Sequence, residues 1–438
     1  MRIKKLAAAL AGAALVLAAP AYAVTEIQWW HAMTGRLGDQ VDLIANDFNA
    51  SQSKYKVVPV YKGHYADTMA AGIAAYRAGN APDILQVYEV GTATMMAAKG
   101  AVLPIYKLME RTGNTLDMSD YMPAVVSYYS DPHGNLISMP FNSSTPVLFY
   151  NKDAFKKAGL DPNKPPRTWE QLGRDGEKIK RSGATPCAFT TGWEVWVQIE
   201  NMSAWDNVQF ATLDNGFRGM GARLTFNNPT IVRHIAELAR WAKDGRFTYA
   251  GRHTEPEAKF YAGDCAMLTS SSAARANILK NAKFDVGMGY LPYDGFAKHA
   301  PQNTIIGGAS LWTFTGTSKA REEATAAFFK FISSAKIQAR WHQNTGYVPI
   351  TKGAYELTKK EGYYEQNPGT DIAIKQLLER NPTKVSKGLR LGYMPQIRDV
   401  IDEELEAVWV GKKSAKAALD EAVKRGDALL RKFQRENR

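Results

Sequence analysis

From Thr25 onward, apolar and polar positions switch between two periods. Glu26-Ile27-Gln28-Trp29-Trp30 reads as a strand, and Leu37, Val41, Ile44 and Phe48 then share one face of a helix. Tyr55-Lys56-Val57-Val58-Pro59-Val60 returns to strand. Ala66 to Gly79 reads as a helix stopped at Gly79-Asn80, and Asp83-Ile84-Leu85-Gln86-Val87-Tyr88 as a third strand. Strands alternating with helices of this length predict right-handed crossovers and a largely parallel sheet.

A second α/β unit follows the same logic. Pro146-Val147-Leu148-Phe149-Tyr150 is a strand, Lys152 to Ala158 a short helix, and Pro162, Pro165 and Pro166 stiffen the next loop. Thr168-Trp169-Glu170-Gln171 has the spacing of a capping box, with Thr168 capping and Gln171 reaching back. Ile231, Ile235, Leu238 and Trp241 mark a further helix, closed by Asp244-Gly245. The last hundred residues are mostly helical, over about 320–333, 335–343, 352–361, 394–410 and 414–433. No repeat or low-complexity linker separates the two units. They are therefore expected to be joined by several chain crossings that form a hinge.

A chain of 438 residues allows two or three domains, each with its own core. Residues 1–23 stand apart from them. Arg2, Lys4 and Lys5 precede the apolar stretch Leu6 to Ala19, and Ala21-Tyr22-Ala23 is a small-residue cleavage site, the pattern of a secretory signal peptide cut after Ala23. The stretch is shorter than the ~20 residues a spanning helix needs. The cut removes three basic residues and no acidic one, taking the net charge from +12 to +9. The remaining basic residues are scattered or sit beside acids on helical patterns, which argues for solvated surfaces and a mild preference for anionic ligands over nucleic acid.

Enzyme signatures are missing. None of the seven His forms an i, i+4 zinc pattern, and two Cys are too few for a four-Cys site. There is no Gly-x-Ser-x-Gly elbow, phosphate-binding P-loop or dinucleotide fingerprint. The balance tips toward binding without catalysis, with no cofactor and no metal expected. Ser270-Ser271-Ser272 precedes a helical stretch, where free N–H groups and hydroxyls suit a phosphate, although ordinary capping explains the serines equally. Ile306-Gly307-Gly308-Ala309-Ser310 is a turn at which bare backbone can approach a ligand. Trp29, Trp30, Tyr65, Trp169, Trp193, Trp196 and Tyr347 supply faces for stacking on a polyol, or simply fill cores. Arg398 can fork onto a phosphate, its alternative being a surface ion pair.

Longer stretches carry a resemblance. Tyr150-Asn151-Lys152-Asp153-Ala154-Phe155-Lys156-Lys157-Ala158-Gly159-Leu160-Asp161 with Thr168-Trp169, Phe260-Tyr261-Ala262-Gly263-Asp264-Cys265-Ala266-Met267, and Gly346-Tyr347-Val348-Pro349 resemble the carbohydrate-type extracellular solute-binding proteins of ABC importers. Pro140-Phe141-Asn142-Ser143-Ser144-Thr145-Pro146, Ile305-Ile306-Gly307-Gly308-Ala309-Ser310-Leu311-Trp312 and Lys387-Gly388-Leu389-Arg390-Leu391-Gly392 are similar to the branch that captures sn-glycerol 3-phosphate. The likeness runs from Val24 to the C-terminus. One departure is the turn after Ser271-Ser272, which reads Ala273-Ala274 where such proteins often carry a glycine.

The resemblance implies an α/β, two-lobed periplasmic binding protein fold of type II with a multi-segment hinge. Residues 24–140 and 302–348 would form the first lobe, and 141–301 with 349–438 the second. It implies ligand contacts from Tyr65 and Glu89 in the first lobe, Ser144 and Ser271 in the second, and Gly308, Tyr347 and Arg398 around the cleft, with Trp169 as a further wall. Arg398, the serine and Tyr347 hydroxyls and the Gly308 N–H suit phosphate oxygens, whereas Glu89 suits glycerol hydroxyls unless it pairs with a cation of its own lobe. The implied partners are sn-glycerol 3-phosphate, glycerophosphodiesters such as glycerophosphocholine, and the inner-membrane permease, with the protein acting as a periplasmic monomer. A sugar receptor and an exported glycerophosphodiester hydrolase are the alternatives. Cys187 and Cys265 are the only thiols, and export meets an oxidising compartment, so one disulfide within the second lobe is expected, against two separate buried thiols.

Overall fold

The computed structural model describes residues 24–438, so the expected leader and the expected cut after Ala23 lie outside the described residues. Ten strands form two sheets: β1 (Thr25–His31), β2 (Tyr55–Tyr61), β3 (Ile84–Tyr88), β4 (Val102–Leu103), β5 (Met139–Ser144), β6 (Pro146–Asn151), β7 (Cys187–Thr191), β8 (Cys265–Ser271), β9 (Val286–Tyr290) and β10 (Gly307–Phe314). The first sheet runs β2-β1-β3-β10-β4, with β5 also on β10, and the second runs β7-β8-β6-β9. Each is covered by helices. Ile27, Trp29, Phe48, Phe141 and Phe328 fill the first core, and Phe189, Trp205, Ile235 and Trp241 the second.

The sheets are mixed, not largely parallel. The helical crossovers that the sequence predicts do make β1, β2 and β3 parallel. β10, however, arrives from the other lobe and runs antiparallel to β3, β4 and β5. In the second sheet β6 is antiparallel to both β8 and β9, and only β7 and β8 are parallel. Strand direction depends on the side from which a lobe crossing delivers the chain, and hydropathy does not record that.

The chain passes between the sheets at the β5–β6 junction Ser144-Thr145-Pro146, between β9 and β10, and between helices Lys352–Lys360 and Ile372–Leu377. Two expected boundaries move accordingly. β5 extends the first lobe from residue 140 to Ser144, so Ser144 belongs to the first sheet. Helix Lys352–Lys360 packs on helix Ala335–Thr345 of the first lobe, so the boundary expected at 348 lies beyond residue 360. At the helix Trp169–Ser182, Thr168 Oγ1 accepts from the Gln171 N–H at 3.2 Å, but the Gln171 side chain reaches back to the N–H of Arg167, one residue beyond the expected partner. Cys187 and Cys265 are joined in a disulfide, as their opposed positions on β7 and β8 allow.

Candidate functional site: the inter-lobe cavity

Between the lobes lies a cavity of about 120 Å³. Tyr65, Glu89, Ser144, Ser271, Gly308, Tyr347 and Arg398, seven of the residues expected to meet a ligand, all line it. Their placement follows from the fold. Tyr65 opens helix Tyr65–Arg77, and Glu89 starts the single helical turn that follows β3 at the carboxyl edge of the sheet. Ser144 and Ser271 end β5 and β8, and Gly308 lies at the start of β10. Gly308 has φ +94°, and a Cβ there would stand 1.9 Å from the Asn142 carbonyl oxygen, so only glycine lets these strands meet.

The eighth expected residue is elsewhere. Trp169 is buried within the second lobe, its ring 4.6 Å from that of His234 and 5.7 Å from that of Phe189, and it does not line this cavity. Trp193 and Trp196 line the wall instead. The sequence alone offers both only as stacking surfaces or core. Trp193 holds a left-handed backbone, φ 51°, a strained conformation for a bulky residue. Trp196 begins a π-helical turn, Trp196–Asn201, and its ring fills the space where a Cβ on Gly307 would sit.

That π turn also positions Glu200, which changes the electrostatics of the site. Arg398 donates from Nε and Nη2 to the two oxygens of Glu200, each at 2.7 Å, and from Nη2 to Glu89 Oε1 at 2.6 Å. Arg398 and Glu89, expected to address opposite ends of a ligand, are therefore partners. The ion pair crosses between lobes, not within the first lobe. Burial alone would lower the Arg398 pKa, but Glu200 and Glu89 outweigh it and push it well upward. Burial raises the Glu89 carboxyl above its ordinary value, with Arg398 opposing and Glu200 adding to the rise. Arg398 Nη1 has no protein hydrogen-bond partner among the described residues.

The phenols are held as donors. A relay runs from the Ala32 N–H to Gln86, from Gln86 Nε2 to Asn142 Oδ1, and from Asn142 Nδ2 to the Tyr65 hydroxyl oxygen, at 2.8, 2.8 and 2.9 Å. An occupied lone pair leaves the Tyr65 O–H to donate. Tyr347 stacks on Trp341 at 5.6 Å, and burial pushes its pKa up to about 12. Ser271 Oγ accepts from the Ala273 N–H at 3.2 Å, so its capping role is realised while it still faces the cavity. Glu257 also lines the cavity. It sits in the first turn of helix Glu255–Tyr261, where acidic residues usually just complement the helix dipole, and so gave no signal in the sequence.

The family model of bacterial extracellular solute-binding proteins matches residues 44–370. The sn-glycerol-3-phosphate-binding periplasmic protein UgpB of Yersinia pseudotuberculosis is 55% identical over 425 residues, 97% of this chain and 96% of that one. Its namesake from Escherichia coli O1:K1 is 55% identical over 422 residues, 96% of each. Among solved structures, UgpB from Mycobacterium tuberculosis in complex with glycerophosphocholine has a TM-score of 0.77 at 22% identity, covering 94% of this chain and 100% of that one. The cyclic alpha-maltosyl-1,6-maltose binding protein from Arthrobacter globiformis has a TM-score of 0.73 at 22% identity, covering 93% and 99%. Likenesses at this identity establish the two-lobed fold.

Proposed function

Because the chain belongs to the bacterial extracellular solute-binding proteins, we propose that it is the periplasmic receptor of an ABC importer for sn-glycerol 3-phosphate. The observation that carries the ligand assignment is the 55% identity over 97% of the chain to proteins that bear that ligand in their name. The gathering of Tyr65, Glu89, Ser144, Ser271, Gly308, Tyr347 and Arg398 around one cavity supports it. Arg398 Nη1 and the hydroxyls of Ser144, Ser271 and Tyr347 supply donors to the phosphate, and Glu89 accepts from glycerol.

An adjoining hollow of about 90 Å³ shares Tyr65, Trp193, Trp196 and Arg398, and gives the alcohol of a glycerophosphodiester a place to lie. Both lobes that line the cavity come from one chain, so a monomer suffices. The ligand leaves unchanged to the membrane permease, which reads the lobes once they have closed on it. The observation that favours a neutral sugar instead is that Arg398 is already paired with two carboxylates.

Thermal-shift and calorimetric titrations against sn-glycerol 3-phosphate, glycerophosphocholine, maltose and inorganic phosphate test the assignment. The first two are expected to bind. Binding of maltose without sn-glycerol 3-phosphate would transfer the protein to the sugar receptors, and release of choline from glycerophosphocholine would make it a hydrolase.

A further inference from the structure

Glu257 is an acid with no cation beside it. The residue is 5% exposed, and Oε1 accepts from the Ser270 hydroxyl at 3.1 Å. Oε2 has no partner among the described residues and is not sealed off, so it opens onto the cavity that Glu257 lines. The groups around it offer no counter-charge. Glu255 of its own helix repels it, and β8 brings only the Ser270 hydroxyl. The turn before the helix brings His253, whose backbone N–H is bonded to Glu255. Across the cavity Tyr347 is a neutral phenol. Arg275, on the neighbouring helix, is engaged with Asn367.

The charge balance decides what such a group can do. Glu89, Glu200 and Arg398 together leave one net negative charge on the same cavity. A phosphate monoester brings about 1.5 to 2 more at neutral pH. A second unpaired carboxylate among them would be repelled by the ligand and costly to bury. A carboxylic acid, by contrast, carries one O–H donor, and Oε2 is the oxygen free to carry it.

We propose that Glu257 is a specificity-determining residue which stays protonated and donates a hydrogen bond from Oε2 to an anionic oxygen of the phosphate ester. The inference rests on the reading of the cavity as a sn-glycerol 3-phosphate site. Desolvation, with a smaller contribution from Glu255, pushes the Glu257 carboxyl up to about 8, so the donor is in place at neutral pH. Above that value a proton must be taken up for the ligand to bind, and affinity falls as pH rises. The ligand's own second ionisation, near ~6, is complete by then, and ordinary Lys and Tyr titrate at about 10 and above. The buried Glu194–Asp402 pair also holds a proton, but it lies outside the main cavity, and a substitution at Glu257 separates the two.

The test is calorimetric titration of the full mature chain with sn-glycerol 3-phosphate from pH 7 to 10, on the wild type and on Glu257→Gln. The wild-type Kd is expected to rise about tenfold per pH unit above pH ~8. Glu257→Gln keeps an N–H donor at every pH, and its Kd should stay within about threefold over that range. A merely structural acid would change thermal stability on substitution but leave the wild-type profile flat. A flat wild-type profile with binding at pH 7 overturns the role of Glu257 and leaves the ligand assignment intact. A variant that keeps the wild-type slope overturns it as well. Absence of binding at pH 7 overturns the ligand assignment itself. The wild-type profile needs no variant, so the inference stays exposed to refutation even if Glu257→Gln does not fold.

Discussion

Arg398→Met removes the one cation that two buried carboxylates share. The side chains of Glu89 and Glu200 are 6% and 1% exposed, so water cannot replace the guanidinium. Leaving a buried charge without its partner costs about 3–5 kcal/mol. One of the two carboxylates can escape by taking up a proton. From an ordinary glutamate pKa of ~4.3, that proton costs about 4 kcal/mol at pH 7 and about 1 kcal/mol at pH 5. The variant should therefore be ~3–4 kcal/mol less stable than the wild type at pH 7 and regain ~2–3 kcal/mol of that at pH 5. Urea unfolding of both proteins at the two pH values reads the difference. Adding Glu200→Gln to Arg398→Met should restore most of the loss at pH 7, because one neutral amide then faces one carboxylate. A loss below about 1 kcal/mol at pH 7, or an equal loss at both pH values, would refute the account of Arg398 as the neutralising centre of the cleft.

Trp169→Phe should cost about 1–3 kcal/mol of stability through poorer packing against Phe189 and His234 while leaving the affinity for sn-glycerol 3-phosphate within about twofold. Trp196→Ala should instead weaken that affinity, and calorimetry on the two variants separates core from wall. Gly308→Ala places a Cβ 1.9 Å from the Asn142 carbonyl at a positive φ, so it should cost at least ~2 kcal/mol and most ligand binding, read by thermal melts with and without ligand. Cys187→Ala with Cys265→Ala opens a cross-link of sequence separation 78, for which chain entropy gives about 4 kcal/mol; an unchanged urea midpoint would show that the bridge does not stabilise the fold.

What the sequence disclosed and what it hid divide along physical lines. β1, β2 and β3 are visible because alternation and turn residues are local, and the five longer helices of the last hundred residues are visible through their apolar stripes, whereas the short helices Tyr363–Gln366 and Ile372–Leu377 offer too few turns for a periodic signal. Strand direction in the mixed sheets is set by crossings that join distant segments, and no local pattern reports it. Tyr65, Ser271, Gly308, Tyr347 and Arg398 were suggested by their chemistry, each with a plain alternative beside it, and only the extended resemblance joined them to Glu89 and Ser144 as one site. Trp169 shows why: an indole buried in a core and one walling a cleft are the same letter. Glu200 was hidden for another reason. It falls within Val197-Gln198-Ile199-Glu200, where only the π turn and an ion pair 198 residues away give it a role. Glu257 carries no sequence signal of its own, and its role depends on β8 placing Ser270 against it.

Ser144 and Gly308 lie on the strands that carry the chain between lobes, and Tyr347 is pinned beside them, since Val348 pairs with Ser143. A rigid rotation displaces each point in proportion to its distance from the axis. In a closure about these strands, groups on them would stay nearly still while Tyr65 on one side and Trp196 on the other moved past them. An arriving solute meets a standing shelf first and moving walls second. The two halves of the encounter are thus encoded in different residues. Substitutions on the shelf are therefore expected to act mainly on the rate at which a solute is taken, and substitutions on the walls on the rate at which it is lost, a division that stopped-flow binding kinetics would read.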